Sequence, residues 1–319
     1  MRILVTGCSG FVGGHLVEAL LARGGAEVVG LAREGWPGHL GHLRSRVRLF
    51  SFDLGDAAAT AEAVAEAAPD QIYHLAGYAH VGRSFQEPRA AWADNLTATL
   101  NLYDGVARLP RRPRVLYVGS GLVYGEPAGP NHLLDESAPL RPVSPYAASK
   151  AAADLASFQY TQSAGLAIIR ARPFNHIGPR QSPEFAAASF ARQLARIEQG
   201  KQEPRLRTGD LRPRRDLTDV RDVVEAYLLL MEKGRPGEAY NVGSGQAHSM
   251  QAILDRLQAL AGLQVPVEAD AGRMRAAETA VLRADASKLR RETGWAQKYT
   301  LDQTLADTLE YWREQVKGE

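Results

Sequence analysis

An apolar run, Ile3-Leu4-Val5, breaks directly into Thr6-Gly7-Cys8-Ser9-Gly10-Phe11-Val12-Gly13-Gly14 and then into a helical pattern. No other stretch leaves this chain so few folds. A strand that turns into a helix this tightly needs residues that tolerate positive φ. The same turn brings backbone N–H groups to a helix N-terminus, where an anion is stabilised. The glycines at 7, 10 and 13 are spaced GxxGxxG, not GxGxxG. Their position at the first strand–helix junction predicts a dinucleotide pyrophosphate held by Gly7, Gly10, Phe11, Val12 and Gly13. The alternative is a structural turn without a ligand.

The alternation continues. Short apolar runs predict strands over 28–31, 47–52, 71–75, 115–119 and 167–171. Amphipathic stretches predict helices over 11–23, 57–67, 90–108 and 146–163. This order implies βαβ units: an α/β, Rossmann-type parallel sheet with helices on both faces. After Arg172, prolines at 173, 179, 183, 204 and 213 interrupt the rhythm. A helix ending over 192–200, a helix over 220–233 and a strand over 238–242 follow. Leu301, Leu305, Leu309 and Trp312 form the stripe of a last helix. The expected division is a cofactor-binding domain over 1–171, rejoined by 216–243, and a smaller α/β substrate domain over 172–215 and 244–319.

Composition narrows the partners. Of 319 residues, 45% are apolar and 23% charged, with a net charge of +2. No strong field favours nucleic acid or a membrane surface. No apolar run approaches the roughly 20 residues of a membrane helix. The N-terminus reads as a strand rather than a secretory signal. The single cysteine, Cys8, excludes an internal disulfide and fits a reducing, cytoplasmic setting. It reads as a small filler in the turn. No metal-ligand set is predicted.

The second strand ends Gly30-Leu31-Ala32-Arg33, without the carboxylate that would hold a ribose 2′-hydroxyl. Arg33 suits a 2′-phosphate instead, which favours NADP(H) and leaves NAD(H) open; otherwise it is a solvated loop residue. Asp53 either hydrogen-bonds the adenine or faces solvent in a turn. Leu75-Ala76-Gly77 lets a cofactor lie flat. Leu54, Asn95 and Pro173 are further cofactor-side candidates. Tyr146 and Lys150, four apart on a helix, share a face. An ammonium there would lower the phenol's pKa and reach a ribose. Ser120, after the fifth strand, would orient a reacting oxygen against Tyr146.

Together, the turn, Leu75-Ala76-Gly77, Ser120, Tyr146 and Lys150 resemble the extended short-chain dehydrogenase/reductases. Val123-Tyr124-Gly125, Arg141-Pro142, Ser144-Pro145-Tyr146, Arg172-Pro173-Phe174-Asn175, Arg215-Asp216-Leu217 and Tyr240-Asn241-Val242-Gly243 are similar to its sugar-nucleotide epimerases, dehydratases and reductases. That resemblance implies hydride exchange at a sugar carbon, usually C4. The 4,6-dehydratases carry Glu, or Asp-Glu, between the catalytic Ser/Thr and the Tyr-Gly. Here Gly121-Leu122 stand there, which argues against dehydration unless Glu126 or Asp135 substitutes. The motifs 175–181, 219–222 and 284–289 resemble reductases of GDP-4-keto-6-deoxy sugars. The implied reaction is reduction of a C4 ketone by NAD(P)H to a GDP-6-deoxy sugar such as GDP-D-rhamnose. A UDP-sugar 4-epimerase is the alternative, with a GDP-mannose 4,6-dehydratase or a non-catalytic NADP(H) sensor behind it.

A nucleotide sugar's diphosphate calls for cations. Arg180, Arg215 and Arg275 are candidates, Arg215 foremost because the family's Arg-Asp-aromatic motif places its Arg on the diphosphate; Leu217 departs from that motif. The alternative for Arg212, Arg214 and Arg215 is a solvated charge run. Ser84 and Asn175 are assigned to the substrate side. Glu278 is placed on a ribose diol, a guanine edge or the surface. His176 reads as packed structure. The family also implies a homodimer through helices near 95–108 and 146–163.

Overall fold

The computed structural model describes residues 1–127, 129, 132–270, 272 and 281–319. Short apolar runs become the strands of one parallel sheet: β1 (Arg2–Thr6), β2 (Glu27–Ala32), β3 (Arg48–Ser51), β4 (Gln71–His74), β5 (Arg114–Val118) and β6 (Ala167–Pro173). Between them run α1 (Phe11–Arg23), α2 (Ala57–Ala67), α3 (Val81–Ser84), α4 (Pro88–Trp92), α5 (Ala98–Ala107) and α6 (Pro145–Ala164). Side chains start these helices. Asp56 accepts from the Ala59 N–H at α2, and Ser144 from the Ala147 N–H at α6, where Pro145 fills the first position.

The later chain contributes β7 (Asn175–Ile177), α7 (Ala186–Glu198), β8 (Leu206–Thr208), β9 (Arg214–Asp219), α8 (Val220–Lys233) and β10 (Ala239–Val242). It ends with β11 (Ala247–Ser249), α9 (Met250–Ala261), β12 (Val267–Ala269), β13 (Val281–Leu282), α10 (Ser287–Thr293) and α11 (Leu301–Lys317). β10 pairs with β6, so the large sheet has seven strands in the order β10-β6-β5-β4-β1-β2-β3. Its register stacks apolar residues: Leu4 lies opposite Val29 and Ile72, and Ile72 opposite Val115. The chain reverses its direction of travel between β1 and β4. In such sheets the crevice at the strands' carboxyl ends is the place for a ligand.

Two apolar cores cover the sheet's faces, one including Leu16, Leu20, Tyr227 and Leu230, the other Val64, Leu102, Val106 and Ala153. A third core joins Leu194, Leu254, Leu305, Leu309 and Trp312 of α7, α9 and α11. Small strands β7, β11 and β13 pair with β9 beside the large sheet.

The helix expected as one piece over 90–108 is broken. Between α4 and α5 lies a π-type turn, Ala93–Thr97. It turns Asn95 inward. Asn95 Oδ1 accepts from the Tyr78 N–H at 2.9 Å, and its Nδ2 donates to Ser149 Oγ at 2.9 Å. Thr99 Oγ1 donates to the Asn95 carbonyl at 2.6 Å. Such a wide turn inserts one residue and shifts the apolar phase, a change that the short flanking helices α4 and α5 give too few residues to reveal.

Candidate active site

The site starts at the first turn. Gly7 has φ +70°, and a Cβ there would lie 2.8 Å from the Ala76 nitrogen. A Cβ at Gly13 would lie 2.0 Å from the Gly7 carbonyl oxygen. The turn therefore closes backbone against backbone, anchored by the Gly7 N–H donating to Leu31 O at 2.7 Å. Thr6 Oγ1 accepts from the Ala76 N–H and bonds His74 Nδ1 at 2.8 Å, tying β1 to the end of β4. Buried Cys8 fills space under Gly30, and burial pushes its thiol up to about 12. Gly10 begins α1 without a side-chain cap. The first N–H groups of α1 are thus left to an anion, and this bare backbone cradle fits a dinucleotide diphosphate.

A cleft of about 610 Å³ opens over this turn. Gly7, Gly10, Phe11, Val12, Gly13, Arg33, Asp53, Leu54, Leu75, Ala76, Gly77 and Pro173 line it. At one end, exposed Arg33 donates to Asp94 at 2.7 Å and lies 3.8 Å from Asp53. Asp53 Oδ1 also accepts from the Gly55 N–H at 2.7 Å. The guanidinium is therefore held at the cleft mouth between two carboxylates, not swinging in solvent. Asn95, expected beside the cofactor, is not on this wall. Its polar atoms are used on Tyr78 and Ser149, because the π-type turn sends Asp94 to the cleft in its place.

Ser120, Tyr146 and Lys150 line the other end. Ser120 is 6% exposed and caps the short helix Gly121–Tyr124, its Oγ accepting from the Leu122 N–H at 3.2 Å. Tyr146 is half-buried in the first turn of α6. Burial pushes its phenol up, and a hydrogen bond with Ser120 opposes the rise. Buried Lys150 donates to Val118 O at 3.1 Å, and burial lowers its ammonium to about 8. The expected lowering of the phenol by the lysine is not seen: burial raises it, and the opposing influence is the Ser120 hydrogen bond. The ammonium is aimed at the end of β5, not at the phenol.

Gly121 has its own constraint. A Cβ there would sit 2.6 Å from the Phe174 ring. Among the described residues, the carboxylates on the cleft wall are Glu34, Asp53 and Asp94, all at the Arg33 end. Glu126 and Asp135 are not on it. Asp135 Oδ1 is occupied by the Ser137 N–H and hydroxyl.

The expected substrate residues divide. Exposed Asn175 reaches the wall at β7, beside His176. His176 packs against Phe11, ring centroids 6.0 Å apart, and burial lowers its pKa. Arg180 does not reach the wall. Its Nη1 and Nη2 donate to Glu18 at 2.8 and 2.6 Å, and Nη2 to His15 Nδ1 at 2.6 Å. Its donors clasp α1, and the backbone there is left-handed, φ +75°. Ser84 is also absent: it is buried and donates to Val81 O at 2.7 Å within its own turn. Arg215 is buried in β9, donating to Arg214 O at 2.9 Å, and is not on the wall. Arg275 and Glu278 lie outside the described residues. Gln181, Phe185 and Tyr227 were missed by sequence reasoning and line the cleft. Gln181 stood inside the quoted 175–181 motif, whereas Tyr227 follows the buried face of an ordinary amphipathic helix and carried no signal.

The model of the GDP-mannose 4,6 dehydratase family matches residues 4–308. The chain belongs to that family. It is 38% identical over 319 residues to the GDP-6-deoxy-D-mannose reductase of Pseudomonas aeruginosa, covering 100% of this chain and 99% of that one. The structure of RMD from Pseudomonas aeruginosa complexed with NADPH superposes with a TM-score of 0.85 at 35% identity, covering 98% and 99%. A UDP-glucose 4-epimerase of Thermus thermophilus in complex with NAD superposes at 0.87 with 32% identity, covering 98% and 99%. This GDP-mannose 4,6 dehydratase family member is therefore an α/β enzyme of the extended short-chain dehydrogenase/reductase type.

Proposed function

We propose that the chain reduces the C4 ketone of a GDP-4-keto-6-deoxy-hexose, with NADPH preferred over NADH, to a GDP-6-deoxy sugar such as GDP-D-rhamnose. The observation that carries this reading is the Gly121–Phe174 contact. Where a dehydratase needs a carboxylate beside the catalytic serine, this chain has a glycine with an aromatic ring over it. Full-length similarity to a GDP-6-deoxy-D-mannose reductase supports the substrate class. The similar structure that holds NADPH, with Arg33 at the cleft mouth, supports the cofactor.

NADPH, when bound, supplies the hydride. Gly7 to Gly13 would hold its diphosphate, and Arg33 its 2′-phosphate, in exchange for part of the Asp94 contact. Ser120 holds the ketone oxygen by a hydrogen bond. Tyr146 gives that oxygen its proton as the alkoxide develops. The raised phenol pKa suits this direction, because it keeps Tyr146 in its protonated, donor form at neutral pH. Lys150, cationic below about pH 8, holds the ribose and stabilises the phenolate left behind. Asn175 faces the sugar, and Arg215 with Arg275 and Glu278 belongs to the nucleotide end of the proposal. Dimerisation is included: Leu155 and Phe158 on α6 are exposed apolar residues, 57% and 43% accessible. So is a cytoplasmic location.

A thermal-shift survey with GDP, UDP and dTDP tests the nucleotide. GDP is expected to raise the unfolding temperature most; a larger shift with UDP or dTDP contradicts the proposal.

A further inference from the structure

Six buried side-chain polar atoms lack a hydrogen-bond partner among the described residues. Two belong to the cleft wall, Gln181 Oε1 and the Tyr227 hydroxyl. Gln181 lies on the 175–185 wall and still donates through Nε2 to His176 O at 3.0 Å. Tyr227 has no such second contact. It is 0% exposed, in the middle of α8, which packs on β5, β6 and α1 beneath the crevice.

Its surroundings locate the hydroxyl. Tyr227 belongs to the apolar core that also holds Ala171 and packs against Val12 and Val118. Those residues form the floor between the glycine turn and the ends of β5 and β6. α8 packs on β5, β6 and β7, the strands that bring Val118, Pro173 and Asn175 to the cleft, so Tyr227 reaches the wall toward the catalytic end rather than beside Arg33. Burial pushes its phenol up, leaving a neutral hydroxyl that can donate or accept. Phenylalanine would fill the same volume without burying an unpaired hydroxyl.

We infer that the Tyr227 hydroxyl is a hydrogen-bonding group for the nicotinamide end of the bound dinucleotide. The inference rests on the NADP(H)-dependent reading above. The nicotinamide carboxamide, which that hydroxyl would meet, offers both a donor and an acceptor. Tyr227 is thus a binding residue on the cofactor's floor, distinct from Ser120 and Tyr146, which act on the reacting oxygen, and from Lys150, which holds the ribose.

Tyr227→Phe tests this in the full chain. NADPH binding is followed by the cofactor's fluorescence. Binding of 2′-phospho-ADP-ribose, which lacks the nicotinamide, is followed by calorimetry. The expected result is NADPH affinity weakened roughly 3–10-fold, the value of one hydrogen bond, with the fragment's affinity unchanged. The unfolding temperature of the ligand-free variant should hold or rise. Unchanged NADPH affinity overturns the inference, as does equal weakening of both ligands. A clear fall in the ligand-free unfolding temperature also overturns it, because the hydroxyl would then have a partner in the protein. A wild-type chain that binds neither NADPH nor NADH overturns the proposed function itself, and this inference with it.

Discussion

At one end of the cleft Ser120 and Lys150 are buried, Tyr146 is half-buried, and no described carboxylate shares the wall. At the other end Arg33 stands exposed between Asp53 and Asp94, with Glu34 nearby. One cleft therefore works under two electrostatic regimes. In the dry end each polar group is strongly felt, and its protonation is set by burial. In the wet end solvent and salt screen each charge, so contacts there tune binding in small steps. Substitutions should separate the two ends by size of effect.

The largest effect belongs to Tyr146→Phe. Turnover is expected to fall by about 10²–10⁴-fold, the range for a lost proton donor, while NADPH affinity holds. Single-turnover kinetics beside a binding titration measures both. Near-normal turnover would remove Tyr146 from the chemistry.

Lys150→Met is expected to cut turnover by about 10²-fold yet raise the ligand-free unfolding temperature. The sign follows from its lowered pKa, about 8. An unfolded lysine titrates near ~10.4, so between these values the unfolded chain binds more protons. Stability from this group is present above that window and lost as pH falls through about 8. At neutral pH the buried ammonium is thus destabilising, and methionine removes the penalty. Melting curves across pH check this. In the wild type, turnover is expected to fall as pH rises through about 8, where the cation discharges.

Gly121→Asp comes next. The Cβ meets Phe174 at 2.6 Å, so overpacking should destabilise the fold by about 1–3 kcal/mol. The wild type should not convert GDP-mannose; such conversion, with no described carboxylate beside Ser120, would undo the argument from Gly121. The smallest effect is expected at the wet end. Arg33→Ala should raise the NADPH KM about 5–20-fold, leave kcat alone, and lessen the salt dependence of binding. An unmoved NADPH-to-NADH preference would leave Arg33 serving only Asp94 and Asp53.

The two regions also differed in how far the sequence revealed them. Residues 1–171 form a chain of local units, strand then helix, and each unit carries its own period and punctuation. That is why the glycine turn, Ser120 and the Tyr146–Lys150 face could be placed from sequence. Asn95 failed for a local reason: the π-type turn shifts the helical phase by one residue, so Asp94 and not Asn95 lines the wall. Past Arg172 the wall is assembled from distant segments, and charge alone does not say which arginine reaches it. Arg180 looked like a phosphate ligand, but its guanidinium closes on Glu18, 162 positions away. The short strands β7, β8, β11, β12 and β13, of two or three residues, were invisible because pairing, not propensity, makes them.

The most direct measurement gives the purified protein a GDP-4-keto-6-deoxy-hexose with NADPH and follows cofactor absorbance and the sugar-nucleotide product together. The expected result is one NADPH oxidised for each GDP-6-deoxy sugar formed, abolished by Tyr146→Phe. No NADPH oxidation with that substrate, together with interconversion of UDP-sugars at constant cofactor, would contradict a keto-sugar reductase and point to an epimerase.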